Sequence, residues 1–244
     1  MKKIGLIGGM SWESTAVYYQ LLNQGVRARL GGLHSADLIL RSYDFALIQQ
    51  LQSADDWANA ADLLASTARE LEQAGADCLL ICTNTMHKVA PAVQAAVQIP
   101  LLHIADATAD AIKAAGAQRP LLLATRYTME QPFYRDRLCS KHGIDVIVPD
   151  ANDRATIHTV IFDELCQGKI DNDSRDRFLG IVNKAREESG TDSIILGCTE
   201  IGLLIDQTML SQPTFDTTTV HVDAALDFAL AQPNGSPAGY QGEH

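Results

Sequence analysis

The chain is predicted to be an α/β protein of two similar lobes that share one cleft. Three observations predict this. Short apolar strands alternate with helical segments, the order strand, Cys-Thr, helix occurs twice, and two further segments recur in the same sequence order. Lys2–Gly8 reads as a buried strand, followed by a Gly-rich turn and a helix over Ser14–Leu30. Leu38–Ser42 is a second strand. Asp56–Gln73, rich in Ala and Leu and stopped by Gly75, is an amphipathic helix. Asp77–Cys82 is a short apolar strand, and the spacing returns to helix from Asn84 to about Val97. Such alternation implies βα units on a parallel sheet. Right-handed crossovers then bring the strand C-termini to one edge, where ligands sit.

The second half repeats the first. DCLLICTNTMH (77–87) matches DSIILGCTEIG (192–202), with Cys82 and Cys198 116 residues apart. IPLLHIADAT (99–108) matches QPTFDTTTVH (212–221), with Asp106 and Asp216 110 apart, and KKIGLIGGM (2–10) matches RPLLLATRYTM (119–129). We expect residues 1–98 together with about 210–231 to form the first lobe and 99–209 the second. The Pro- and Gly-rich stretch 232–244 is expected to be disordered.

Composition narrows the function. Of 244 residues, 19 are Lys or Arg and 30 Asp or Glu, a net charge of −11 that argues against nucleic acid as a partner. The apolar runs are far too short to span a membrane. Five cysteines at irregular spacing, with no export signal after the N-terminal lysines, imply free thiols and a cytoplasmic location. The spacing of Gly5, Gly8 and Gly9 fails the dinucleotide fingerprint, and no Gly-Lys-Ser/Thr supports a P-loop. The histidines show no metal-ligand spacing, so neither metal nor nucleotide cofactor is expected.

The two Cys-Thr segments carry the chemistry. Cys198 stands at a strand end before a helix start, where the helix dipole is expected to favour a thiolate. Thr199 and Glu200 follow it beside backbone N–H groups able to hold a carboxylate. Thr83, Asn84 and Thr85 occupy the mirror position, and Met10 and Ser11 in the first Gly-rich turn offer further N–H groups. Two proton-handling groups facing one carbon from opposite sides would invert a stereocentre without redox cofactor or metal.

The segments GLIGGMSWEST, CTNTMHK, LHIADAT, ATRYTM and GCTEIGLL resemble the aspartate/glutamate racemase superfamily, which works without pyridoxal phosphate, over roughly Lys2–Leu230. The resemblance implies two pseudo-symmetric, doubly wound, flavodoxin-like lobes with parallel four-stranded sheets. It also implies an active site between them, an amino-acid substrate, no cofactor and a homodimer. Glu200 after the second Cys-Thr resembles the aspartate racemases, since glutamate racemases usually have His there. The usual first motif is Cys-Asn-Thr-x-His, so aligning Asn84, Thr85 and His87 puts Thr83 in the catalytic-cysteine position and marks an atypical Thr/Cys pair with Cys198. A local register shift that brings in Cys82 is the alternative. Carried over residue by residue, the substrate-binding positions are Met10, Ser11, Gln52, Thr83, Asn84, Thr85, Thr125, Thr128, Thr199 and Glu200. Lys169 and Arg126 are either cations for a distal carboxylate or solvated surface residues, and His87 either polarises a neighbour or caps its helix. The activity implied is inversion of L-aspartate or L-glutamate at Cα. Alternatives are broader use of small polar amino acids, another carbon-acid reaction such as that of a hydantoin racemase or maleate isomerase, and non-catalytic amino-acid binding.

Overall fold

A computed structural model describes residues 1–231, so the expectation for 232–244 lies outside the described residues. In the first half, β1 (Ile4–Gly8) leads into α1 (Trp12–Leu30), whose N-cap Ser11 accepts the Ser14 N–H. β2 (Leu38–Ser42) is followed by α2 (Phe45–Ser53), capped by Asp44, which the sequence pattern did not announce. α3 (Trp57–Gln73) starts at its Asp56 cap and buries Ala60, Leu64, Ala68 and Leu71, a stripe one helical face wide. β3 (Cys78–Ile81) ends in a 3₁₀ turn over Thr85–Val89 and then α4 (Ala90–Ala95). The single helix expected from Asn84 to about Val97 is thus broken in two. Pro91 at the start of α4 lacks an N–H to bond backward, so the chain tightens before it and restarts there.

α5 (Ile104–Ala114) leads to β4 (Pro120–Leu123), the short helices α6 (Arg126–Glu130) and α7 (Pro132–Asp136), then α8 (Ala151–Asp163) and α9 (Asn172–Ser189). β5 (Ser193–Leu196), the one-turn α10 (Ile201–Leu204), β6 (Thr214–Asp216) and α11 (Thr217–Leu230) complete the described chain.

Two parallel sheets result, ordered β2-β1-β3 and β4-β5-β6. Each has three strands among the described residues, not the expected four. At the position of a fourth strand, each sheet has a single bridge, Leu79 with Leu101 in the first and Leu121 with Ile147 in the second. One bridge fixes too few residues to extend into a strand. Counting the bridged segments, both sheets follow the order second, first, third, fourth, which is the flavodoxin-like doubly wound arrangement. The two lobes are therefore pseudo-symmetric.

The chain crosses between the sheets later than the expected boundaries at 98/99 and about 210. Leu101 still pairs with the first sheet and β6 with the second. Only then do the following helices change sides. Ile104, Ala105, Ala109 and Ile112 of α5 enter the core of the second lobe, while Val222, Ala225, Leu226 and Ala229 of α11 pack with Ile4, Leu6 and Leu22 of the first. Each lobe thus borrows a helix from the other half of the chain, and α5 packs against α11 where they cross. The apolar face of each helix matches the sheet it reaches, not the strand it follows, and the expected boundaries depart from the crossings only at Leu101 and β6.

Candidate active site between the lobes

The turn after β1 is shaped by Gly9. Its φ of +80° and the Tyr43 carbonyl oxygen, 2.2 Å from where a Cβ would stand, leave room for no other residue. That turn delivers Met10 and Ser11 to the edge where β3 and β5 also end. Thr83 to Thr85 and Gly197 to Glu200 meet them there, and together they line a cleft of about 570 Å³ counting its open mouth.

Of the residues singled out in the sequence, Met10, Ser11, Gln52, Thr83, Asn84, Thr85, Thr125, Cys198, Thr199 and Glu200 all line this cleft. Thr128 does not. It is fully buried behind Thr125, and the Thr85, Thr125 and Thr128 hydroxyls lie 3.2 to 3.4 Å from one another across the lobes. Lys169 and Arg126 are exposed and away from the lining, in keeping with the surface reading of both. His87 is buried behind Thr83.

Hydrogen bonds across the cleft tie the lobes together. Ser11 Oγ and Ser14 Oγ both reach Glu200 Oε1, at 3.3 and 3.5 Å, and Ser14 Oγ also bonds Thr199 Oγ1. Asn84 Nδ2 donates to Thr217 Oγ1 at 2.9 Å, and that hydroxyl in turn donates to the Leu196 carbonyl. This fixes the amide orientation, because the threonine proton is already committed. Asn84 Oδ1, although buried, has no hydrogen-bond partner.

Cys198 departs from the expected thiolate. Its Sγ donates to Glu200 Oε2 at 2.8 Å, and its pKa is raised well above the ordinary thiol value, by burial first and by the Glu200 carboxylate second. The helix meant to depress it, α10, is one turn long and begins three residues later, so its dipole is outweighed. Cys82 is fully buried among Ile4, Leu6 and Leu80, and burial alone pushes its pKa up. Cys82, one residue beyond the end of β3, nonetheless contributes to the cleft lining.

Several lining residues carry no signal in the sequence reading. Ser14 and Tyr18 come from successive turns of α1, Ile161 and Phe162 from α8, and Thr218 from α11. Ser14 was legible in principle, three residues after Ser11 at a helix start, and Thr218 stands two residues after the repeated Asp216. The α8 wall has no motif. Among the described residues, no group of three or more His, Cys, Asp or Glu side chains is placed to hold a metal ion, and no helix is long and apolar enough to cross a membrane.

The match to known proteins covers both lobes. The family model for Asp/Glu/hydantoin racemases aligns with residues 7–225. The chain belongs to the Asp/Glu/hydantoin racemase family. A candidate Asp/Glu racemase from Yersinia pestis is 55% identical, with a TM-score of 0.90 over 95% of this chain and 100% of that one. An aspartate racemase homologue from Pyrococcus horikoshii is 34% identical, with a TM-score of 0.83 over 94% and 99%. An aspartate racemase from Picrophilus torridus, 23% identical with a TM-score of 0.73 over 93% and 94%, shares the fold.

Proposed function

We propose that the protein inverts the Cα stereocentre of a free amino acid by proton transfer within the interlobe cleft, with aspartate and glutamate as its substrates. One observation carries this reading. The equivalent ends of β3 and β5, in two lobes of the same build, present Thr83 and Cys198 to a single cleft. The names of the similar proteins support the acidic substrates.

The Cys198 thiol, held neutral by burial and by Glu200, must first lose its proton. Glu200 Oε2 already accepts that hydrogen bond, so the proton passes to the carboxylate as the substrate's α-ammonium brings positive charge into the cleft. The thiolate then takes the Cα hydrogen of one enantiomer. On the opposite face the Thr83 hydroxyl hands a proton to the carbanion while receiving another from water, because a threonine hydroxyl is too weak an acid to ionise by itself. The hydroxide left behind is neutralised by the proton held on Glu200, which restores the starting carboxylate and thiol. Asn84 Oδ1 is a free acceptor for the α-ammonium, and the Thr85 and Thr199 hydroxyls are donors for the α-carboxylate.

A second reading rests on charge. Among the described residues, no Lys, Arg or His side chain lines the cleft, while Glu200 does. A substrate with a neutral polar side chain would meet no repulsion there, whereas a distal carboxylate would lack a cationic partner. A chiral assay of acidic and neutral polar amino acids, run from both enantiomers in D₂O, tests both readings. Turnover of aspartate and glutamate above that of their amides supports the first, and the reverse order supports the second. The absence of both inversion and Cα exchange across the panel would overturn the racemase reading for free amino acids.

A further inference from the structure

Behind Thr83, three histidines from different parts of the chain are buried together. His87 lies in the turn after β3, His103 at the N-cap of α5 and His221 in α11. The ring of His87 stands 4.6 Å from that of His103 and 5.7 Å from that of His221. Each imidazole grips a different backbone atom of the segment on which the chain crosses between the lobes. His221 Nε2–H donates to the Leu102 carbonyl at 2.7 Å, and its Nδ1 accepts the Tyr18 hydroxyl at 2.8 Å. His103 Nδ1 accepts the Ala105 N–H at 3.2 Å. His87 Nε2 accepts the Ile104 N–H at 3.2 Å, and its Nδ1–H donates to the Thr83 carbonyl at 2.8 Å.

Only one state of His87 satisfies both of its bonds. A backbone N–H can only donate, so Nε2 must be bare and Nδ1 must carry the proton. Burial, reinforced by His103, His221 and Arg137, holds the ring neutral. Among these three imidazoles, His87 alone touches the strand end that carries Thr83. Tyr18, the partner of His221, itself lines the cleft, so the cluster abuts the site without exposing an imidazole to it.

We propose that His87 is a positioning residue for the Thr83 face of the cleft, its neutral imidazole clamping the Thr83 carbonyl to the first N–H of α5. The proposal rests on the racemase reading above and specifies what holds its weaker half in place. Cys198 is oriented by Glu200 within its own strand end. Thr83 has no such neighbour, and its backbone is held by a ring that never meets the substrate. Loss of the clamp therefore acts on one face of the reaction and spares the other.

The test uses His87→Phe, which keeps a ring but deletes both nitrogens, and His87→Gln, whose amide can donate to Thr83 and accept from Ile104. Cα deuterium exchange is measured separately from each enantiomer. In His87→Phe, exchange of the hydrogen that faces Thr83 should fall roughly 10-fold or more, since sub-ångström misplacement is enough for such a loss. Exchange on the Cys198 face should persist, and His87→Gln should recover part of the lost rate. Equal losses on both faces, or no loss on either, would overturn the proposal. Backbone hydrogen–deuterium exchange over residues 83–87 and 102–106 supplies a readout independent of activity. These segments should exchange faster in His87→Phe than in the native chain and return toward native protection in His87→Gln. Unchanged protection in His87→Phe would overturn the clamp even if no amino acid proved to be a substrate, whereas an inactive native chain with the expected protection pattern would count against the racemase reading alone.

Discussion

The Cys198 thiol donates a 2.8 Å hydrogen bond to Oε2 of Glu200, while Oε1 of the same carboxylate is held from the other lobe by Ser11 and Ser14. Glu200 is thus both the acceptor of the thiol hydrogen bond and a pin across the cleft. In the proposed reaction a proton-sharing pair would stand in place of a preformed thiolate, and the base would form only once the proton had moved.

Glu200→Gln separates the two roles. A glutamine still reaches Ser11 and Ser14 but cannot take up a proton. Turnover should fall by roughly 10²-fold or more, the usual scale for loss of a general base. Binding of a substrate-like amino acid should change much less. The measurement is kcat and ligand Kd side by side. A variant keeping more than a tenth of native turnover would remove Glu200 as the proton acceptor.

Thr83→Cys should raise turnover, because it places a titratable thiol on the face that now relies on a hydroxyl. Enantiomers are equally stable in water, so kcat/KM must stay equal in the two directions for native and variant alike. The gain should appear as a smaller difference between the two kcat values. Circular-dichroism progress curves from each enantiomer measure it, and a folded variant with unchanged or slower turnover in both directions would argue against Thr83 as the second-face residue.

How much of this site the sequence disclosed follows from what kind of information each residue carries. Thr83, Asn84, Cys198 and Glu200 sit where a strand repeats, and strand ends are set by local pattern. Phe162 and Tyr18 enter the cleft from helices whose inward faces depend on tertiary packing, which no motif records. The points at which the chain crosses between the lobes, after Leu101 and after β6, are not marked in the sequence, because α5 and α11 are each contiguous with a strand of the opposite sheet. The Cys198 thiol departs from the thiolate that the sequence predicts for a related reason. Helix polarity can be read along the chain, but the burial that outweighs it cannot.

Asn84→Ala tests the orphaned amide oxygen. Asn84 Oδ1 is buried with no hydrogen-bond partner in the protein, so it is placed to accept a charge-assisted bond from a ligand ammonium. Loss of a hydrogen bond to a charged group is worth about 1.5–3 kcal/mol, which raises KM by roughly 10- to 100-fold. The kcat should fall less than KM rises. An unchanged KM would remove Asn84 from substrate binding.

The buried histidines make stability depend on acid in a definite direction. Burial lowers the pKa of His221 to about 4, against about 6.5 in an unfolded chain. A depressed histidine pKa means that between these values the unfolded chain binds a proton that the folded one refuses. Stability is therefore intact above about pH 6.5 and is lost as pH falls toward 4. At about 1.4 kcal/mol per pH unit, this histidine alone withdraws about 3 kcal/mol across that window. His103, lowered to about 3 with burial as the leading cause, adds to the loss in the same direction. Urea unfolding at pH 7 and pH 5 should show a clear drop for the native chain. His221→Gln keeps hydrogen-bonding groups near Tyr18 and Leu102 but cannot titrate, so it should start less stable at pH 7 and lose less on acidification. An equal drop in both proteins would show that the acid sensitivity arises elsewhere.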